Sequence, residues 1–139
     1  MSSLSRIGVA IDSELLDRFD ALIQERGYNN RSEAFRDLIR DELVEKSWES
    51  PESQVVGTVT LVYDHHVRML NEKLTDLQHH HHRTVLATTH VHLDEHLCSE
   101  MIMLRGHPDE LREIADLSAR QKGVLHATLS ISSAGHGLH

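Results

Sequence analysis

The sequence predicts an α+β chain built from two small domains. The first is a strand-helix-helix (β-α-α) unit and the second a β-α-β-β-α-β, ferredoxin-like domain. Three observations carry this. Residues 6–11, RIGVAI, alternate with period two and lead straight into apolar residues at helical spacing. A polar stretch with Pro51, SWESPES (47–53), interrupts the chain. From 54 to 132 the β-rich and helical runs come in the order β-α-β-β-α-β. The 139 residues have room for one ordinary domain or two very small ones.

In the opening strand Ile7, Val9 and Ile11 share one face, and Arg6, Gly8 and Ala10 the other. Asp12 or Ser13 caps a helix carrying Leu15, Leu16, Phe19, Leu22 and Ile23, and Gly27 stops it. After the turn YNN, Asn30 stands three residues before Glu33, a capping-box-like start. Ala34, Phe35, Leu38, Ile39 and Leu43 then line one face of a second helix. A lone short strand has two open edges, and two helices bury little by themselves. A second copy, pairing its strand with this one into a ribbon, cures both. Residues 1–46 are read as this domain and 47–53 as a linker. Trp48 in the linker is read as a packing anchor against a neighbouring domain.

Residues 54–133 form the second domain. VVGTVTLVY (55–63) is β-rich; Val67, Leu70, Leu74 and Leu77 mark a helix that His65 and His66 open, exposed, with an accessory metal role as the lesser alternative. TVLATTHVH (84–92) is β again, and LDEH turns the chain into LCSEMIML (97–104), with His96 solvated in the turn. Gly106-His107-Pro108 starts a helix with Leu111, Ile114 and Ala115, which Gly123 closes. VLHATLSIS (124–132) is the last strand. The tail 134–139 is read as disordered.

Aromatic residues make up 4% of the chain, so no large single core is assured, and oligomerisation or a metal is expected to add stability. One cysteine excludes an intrachain disulfide and fits a reducing compartment. No apolar run approaches the roughly 20 residues of a membrane span, and the start lacks the charged and apolar regions of a signal peptide. The cytoplasm is the expected location. A net charge of −8 excludes a general nucleic-acid sponge, so any DNA binding must be local and geometric. The 13 histidines are the main compositional oddity.

The stretch TTHVHLDEHLC (88–98) concentrates metal-binding chemistry. On a strand, His90 and His92 project to one face, ~7 Å apart. Cys98 lies one tight turn away on the next strand. Imidazole and thiolate suit Zn, Cu, Ni or Co, whereas Mg and Ca call for a carboxylate cage. Three ligands leave a fourth position that the tract His79–His82 could supply. In the first domain, the exposed strand face Arg6, Gly8 and Ala10 suits a ribbon in the DNA major groove, where Arg reads guanine. The start of the second helix, NNRSEAFR, suits a phosphate.

GYNNRSEAFRDLIR (27–40) resembles the second-helix segment of ribbon-helix-helix repressors. HHHHRTVLATTHVHLDEHLC (79–98) resembles the metal region of the NikR family of nickel-responsive regulators. The resemblance runs in order and spacing over about residues 6–132. It implies a ribbon-helix-helix DNA-binding domain joined to an ACT-like metal-binding and tetramerisation domain, assembled as a homotetramer, a dimer of dimers. It implies square-planar Ni(II), about one per chain, held by His90, His92 and Cys98 of one chain and His79 of another. Tyr63 and Glu100 would stand beside the metal. Glu33 and Asp37 match carboxylates of an accessory cation site. Arg6, Gly8, Ala10, Asn30, Arg31, Ser32, Arg36 and Arg68 fall in the DNA-binding positions.

The sequence departs from the family where the strand face carries Gly8 and Ala10 in place of two hydroxyl-bearing residues, and Val67 in place of a basic one. Each lost base contact costs about 1–3 kcal/mol of discrimination, so a different or more degenerate operator is expected. The function expected is a nickel-dependent repressor acting on double-stranded operator DNA, with no small organic substrate. Three alternatives stand beside it. One is the same repressor answering to Cu, Co or Zn, which affinity alone does not distinguish. Another is a metal buffer without DNA binding. The third, an enzyme using Cys98 as nucleophile, lacks a carboxylate base at catalytic spacing.

Overall fold

The computed structural model describes residues 3–139; Met1 and Ser2 of the expected first domain lie outside them. The elements are α1 (Ser13–Glu25), α2 (Arg31–Glu49), β1 (Val55–Asp64), α3 (Leu70–His80), β2 (Val85–His92), β3 (Leu97–Gly106), α4 (Pro108–Ala119) and β4 (Val124–Ile131). They fall in two compact units, Met1–Leu43 with Gly137–His139, and Val44–His136.

In the first unit the caps form where the residue types put them. Asp12 Oδ1 accepts from the backbone N–H of Glu14 and Leu15. Gly27, at φ +79°, ends α1: its N–H donates to Gln24 O, and the Tyr28 N–H donates to Ile23 O. This is the Schellman closure that only a left-handed residue permits. Asn30 Oδ1 accepts from Glu33 N–H at 2.9 Å and starts α2. Phe19 stacks on Phe35 with centroids 5.0 Å apart. Little else is buried: Ile7 is 82% exposed and Val9 60%, and Leu38, Ile39 and Leu43 face water.

The strand expected at 6–11 is not formed in the single chain, where residues 3–12 have no regular secondary structure. A strand exists through its ladder, and this segment has no neighbour within its own chain to pair with. The linker expected at 47–53 also starts later, because α2 runs on through Glu49. Trp48, 3% exposed, donates from Nε1 to Ser132 O at 2.9 Å, so burial holds the last helical turn until Pro51 follows. The tail expected to be disordered has no regular element, yet Leu138 O accepts from Arg40 Nε at 2.8 Å.

The second unit has the expected β-α-β-β-α-β order. Its sheet runs β2-β3-β1-β4 with every neighbouring pair antiparallel. Burial alternates along the strands: Val55, Val59, Leu61 and Tyr63 of β1 and Cys98, Ile102 and Leu104 of β3 face inward. They form one core with Leu70 and Leu74 of α3 and Leu111 and Ile114 of α4. The other face is open, with Val91, Met101 and Met103 exposed. Pro108 takes the first position of α4, and Glu110 Oε1 accepts from His107 N–H. His65, His66 and Val67 do not belong to the helix they were expected to open. They form a turn in which Asp64 Oδ1 accepts from His66 N–H, and Met69, at φ +68°, redirects the chain into α3. Among the described residues no helix is long and apolar enough to cross a membrane.

Gly123 joins α4 to β4 at φ +103°, and a Cβ there would come 2.9 Å from side-chain atoms of Leu70 and Val67. Gly123→Ala is expected to lower stability by about 1–3 kcal/mol, read as a lower urea midpoint. An unchanged midpoint would mean that this turn relaxes freely.

Candidate metal centre

The β2–β3 hairpin is fixed at its tip by Asp94, whose Oδ1 accepts from the N–H groups of His96 and Leu97, both at 2.8 Å. Those two bonds hold the Asp94 carboxyl below the usual carboxylate range. The turn sets the register, with His92 opposite Cys98 and His90 opposite Glu100. On the other side of β3, Cys98 stands opposite Tyr63 and Glu100 opposite Leu61. Two rows of side chains therefore cross the inward face of three strands: His92-Cys98-Tyr63, and His90-Glu100-Leu61.

In the first row Cys98 Sγ lies 3.2 Å from His92 Nδ1. Cys98 is fully buried, and burial pushes its thiol up, helped by Asp64, Asp94 and Glu100. With metal bonds of ~2.1 Å to nitrogen and ~2.3 Å to sulfur, two donors at a right angle stand ~3.1 Å apart and at a tetrahedral angle ~3.6 Å. The observed pair lies between, nearer the right angle, so these donors fit one metal ion. Imidazole and thiolate are the donor types for Ni, Cu, Zn or Co.

The structure brings His65 into this group. The ligand atoms of His65, His92 and Cys98 all lie within 4.8 Å of one another. His65 reaches it from the turn after β1, with Nε2 2.7 Å from Glu95 O. The sequence offers His65 only an accessory metal role, as the lesser alternative to an exposed one. The signal was in the pairing of β1 with β3, which sets residue 65 beside the hairpin. His90 lies next to the group, its ring 5.3 Å from that of His92. Its Nδ1 is 3.0 Å from the Tyr63 hydroxyl. Burial above all, then the charges of Glu100 and Cys98, pushes the Tyr63 phenol up to about 12. It stays neutral and able to accept as well as donate. A partner on one ring nitrogen fixes how the other faces a metal.

Glu100 is buried at 8% exposure and accepts from Gln78 Nε2 at 3.2 Å. Gln78 Oε1 in turn accepts from Thr88 Oγ1 at 2.8 Å. Gln78, which the sequence did not single out, thus ties α3 to both strands. Because it turns toward the sheet, its neighbour His79, about 100° further round the helix, is exposed and outside the group. His96, expected in solvent, is exposed but 3.2 Å from His66, Nδ1 to Nδ1.

The expected DNA-facing residues are divided. Arg6, Gly8, Ala10, Ser32, Arg36 and Arg68 are exposed. Arg31 is engaged by Asp20 in two bonds of 2.8 and 2.7 Å, a geometry that competes with phosphate. Asn30 spends its carbonyl on the α2 cap. Of the expected cation carboxylates, Asp37 accepts from the Tyr28 hydroxyl at 2.7 Å and Arg40 Nη1 at 3.1 Å. These bonds, Tyr28 first, hold it below the usual carboxylate range. It lines one groove with Glu33, Arg36 and Arg40, and Arg40 already pairs with it.

Comparison with known proteins bears on both units. Residues 56–132 match the NikR C-terminal nickel-binding domain family, and residues 5–46 the copG family of ribbon-helix-helix proteins. A protein of Solibacter usitatus, provisionally named a nickel-responsive regulator, is 67% identical over 97% of both chains. One of Geobacter sulfurreducens with the same name is 53% identical over the whole of both. One of Caldanaerobacter subterraneus is 46% identical over 99% of this chain and 90% of its own. Among solved structures, an uncharacterized protein of Thermotoga maritima shares the fold over 57% of this chain and 98% of its own, with a TM-score of 0.52 at 12% identity.

Two outcomes are expected of a nickel titration. Tyr63→Phe removes the partner of His90 Nδ1 and should weaken nickel about 10–100-fold, followed by the thiolate-to-metal absorption band. An unchanged affinity would take His90 out of the site. The buried thiol must lose its proton to bind, and its raised value means that the proton is still present near neutrality. Nickel affinity should therefore climb by up to about tenfold per pH unit below that value and flatten above it. A flat profile from pH 6 to 8 would exclude Sγ as a ligand.

Proposed function

The chain belongs to the family of nickel-responsive regulators, and from that premise we propose that it is a repressor that binds operator DNA when it holds nickel. The observation that carries this is the Cys98–His92 contact of 3.2 Å, with His90 on the same strand face. It lies within a nickel-binding domain match that follows a ribbon-helix-helix match. The ligands are His90, His92 and Cys98 of one chain and His79 of a partner, with Tyr63 and Glu100 holding them. The exposure of His79 beside the inward-turned Gln78 supports donation to another chain. These residues would hold nickel, which would supply a cationic centre for their imidazole and thiolate donors.

The rest is the work of the chain's own residues. The exposed apolar face of Ile7, Val9, Leu38, Ile39 and Leu43 supports pairing of the first unit with a second copy, strand to strand. That pairing gives the ribbon that presents Arg6, Gly8 and Ala10 to the major groove. Ser32, Arg36 and Arg68 contribute DNA contacts, and Asn30 and Arg31 do so once released from their present partners. Glu33 and Asp37 remain the candidate accessory cation pair. The working assembly is a homotetramer in the cytoplasm with about one nickel per chain. Nickel shifts DNA affinity only by as much as it distinguishes the binding-competent arrangement from the others.

One observation favours a second reading. His65, His92 and Cys98 converge within one chain, so a metal taking three donors and a water, such as Zn(II), would need no partner.

A mixing experiment decides between the two. Cys98→Ala and His79→Ala chains should each lose the square-planar nickel spectrum and nickel-dependent binding to DNA selected from a random pool. When the two are unfolded and refolded together, about one site in each mixed pair regains all four ligands, and the spectrum should return in part. No return, or a His79→Ala protein with the full wild-type spectrum, would place the whole site in one chain. Full nickel-dependent DNA binding by Cys98→Ala would sink the assignment.

A further inference from the structure

The chain's single tryptophan has no place in the metal centre, yet several independent contacts hold it. Trp48 is 3% exposed in the last turn of α2. Its Nε1–H donates to Ser132 O at 2.9 Å. The Arg112 guanidinium lies 5.5 Å from its ring centroid and donates from Nη2 to Trp48 O at 3.2 Å. Gly57 of β1 makes room for the ring: a Cβ there would stand 3.0 Å from Trp48 Cη2. Val44, one turn earlier, packs on the same core.

α2 is continuous from Arg31 to Glu49, but the two compact units divide between Leu43 and Val44. The helix starts among residues matched to the DNA-binding family and ends inside the core of the metal-binding unit. The strand that receives the ring at Gly57 is also the strand that carries Tyr63, opposite Cys98 and bonded to His90. One strand thus touches the ligand set near one end and the fixed end of α2 near the other.

We infer that Trp48 is a positioning residue for nickel-dependent DNA binding, the clamp through which the metal-binding unit holds α2. The inference rests on the functional reading above. A helical turn locked by burial, a hydrogen bond and a cation–π contact cannot swivel independently of the sheet. Without the lock the last turn of α2 frays, and a change at the ligand set is no longer passed along β1 to the helix, which removes the coupling between the two sites.

The test compares wild type, Trp48→Phe, Trp48→Ala and a chain with Gly-Gly inserted between Leu43 and Val44. Each is titrated with nickel by thiolate absorption, then with the DNA selected by the wild-type protein, with and without nickel. The insertion leaves the Trp48 contacts in place and breaks only the continuity of the helix. All four should take up nickel alike. The gain in DNA affinity on adding nickel should fall at least tenfold in Trp48→Ala and in the insertion, and stay within threefold of wild type in Trp48→Phe. An unchanged gain in Trp48→Ala or in the insertion overturns the inference. So does a Trp48→Ala protein that no longer takes up nickel, which would make the residue a determinant of the fold alone. A wild-type protein whose DNA binding ignores nickel overturns the functional reading itself, and shows this before any variant is compared.

Discussion

The arrangement depends above all on the pairing of three strands at one end of a sheet. β1, β3 and β2 are antiparallel, and their register sets Tyr63, Cys98 and His92 in one row with Glu100 and His90 in the next. Strand side chains alternate between faces, so a slip of one residue would turn Cys98 to the open face and put Leu97 or Ser99 in its place. Asp94 guards against that slip at the hairpin tip, and the buried row Val59, Leu61, Ile102 and Leu104 guards against it along the strands. The arrangement of these candidate ligands is therefore a consequence of core packing, and the most buried of them, Cys98, belongs to the core as well.

The two units solve different problems of size. The second has two helices over one sheet face and a core that closes within the chain. Among its described apolar residues the first buries only Ile23 and Ala34. Most of its apolar side chains stay exposed, and its opening segment has no regular secondary structure. A chain of net charge −8 gains little from long-range attraction to DNA.

Elements with a local cause were legible in the sequence. Asp12, Gly27, Asn30, Pro108 and Gly123 act on backbone within a few residues of themselves, and each does what its type suggests. The same-face placement of His90 and His92 followed from strand geometry alone. What the sequence hid depends on distant pairing. His65 approaches Cys98 only because β1 lies beside β3, and Gln78 matters only because α3 packs over β2 and β3. The segment 6–11 has the pattern of a strand and lacks the partner that would make it one. The linker was misjudged at 47–49 because a polar stretch around a proline outweighs one tryptophan in any local reading, whereas the burial of that tryptophan decides the structure.

The state of Cys98 carries the argument from structure to role. A cysteine that acts as a nucleophile is held as thiolate in an electropositive, partly open place. Cys98 has the opposite surroundings, being buried, near Asp64, Asp94 and Glu100, and pushed up in its titration. Such a thiol is inert toward substrates and slow to oxidise. Were a divalent ion held there, its charge would offset the nearby carboxylates and favour the thiolate. The same carboxylates that make the bare thiolate costly would then favour the cation. Such a site would be quiet without metal and changed by it, which suits a sensor. The relatives from Solibacter usitatus and Geobacter sulfurreducens carry the name of nickel-responsive regulators.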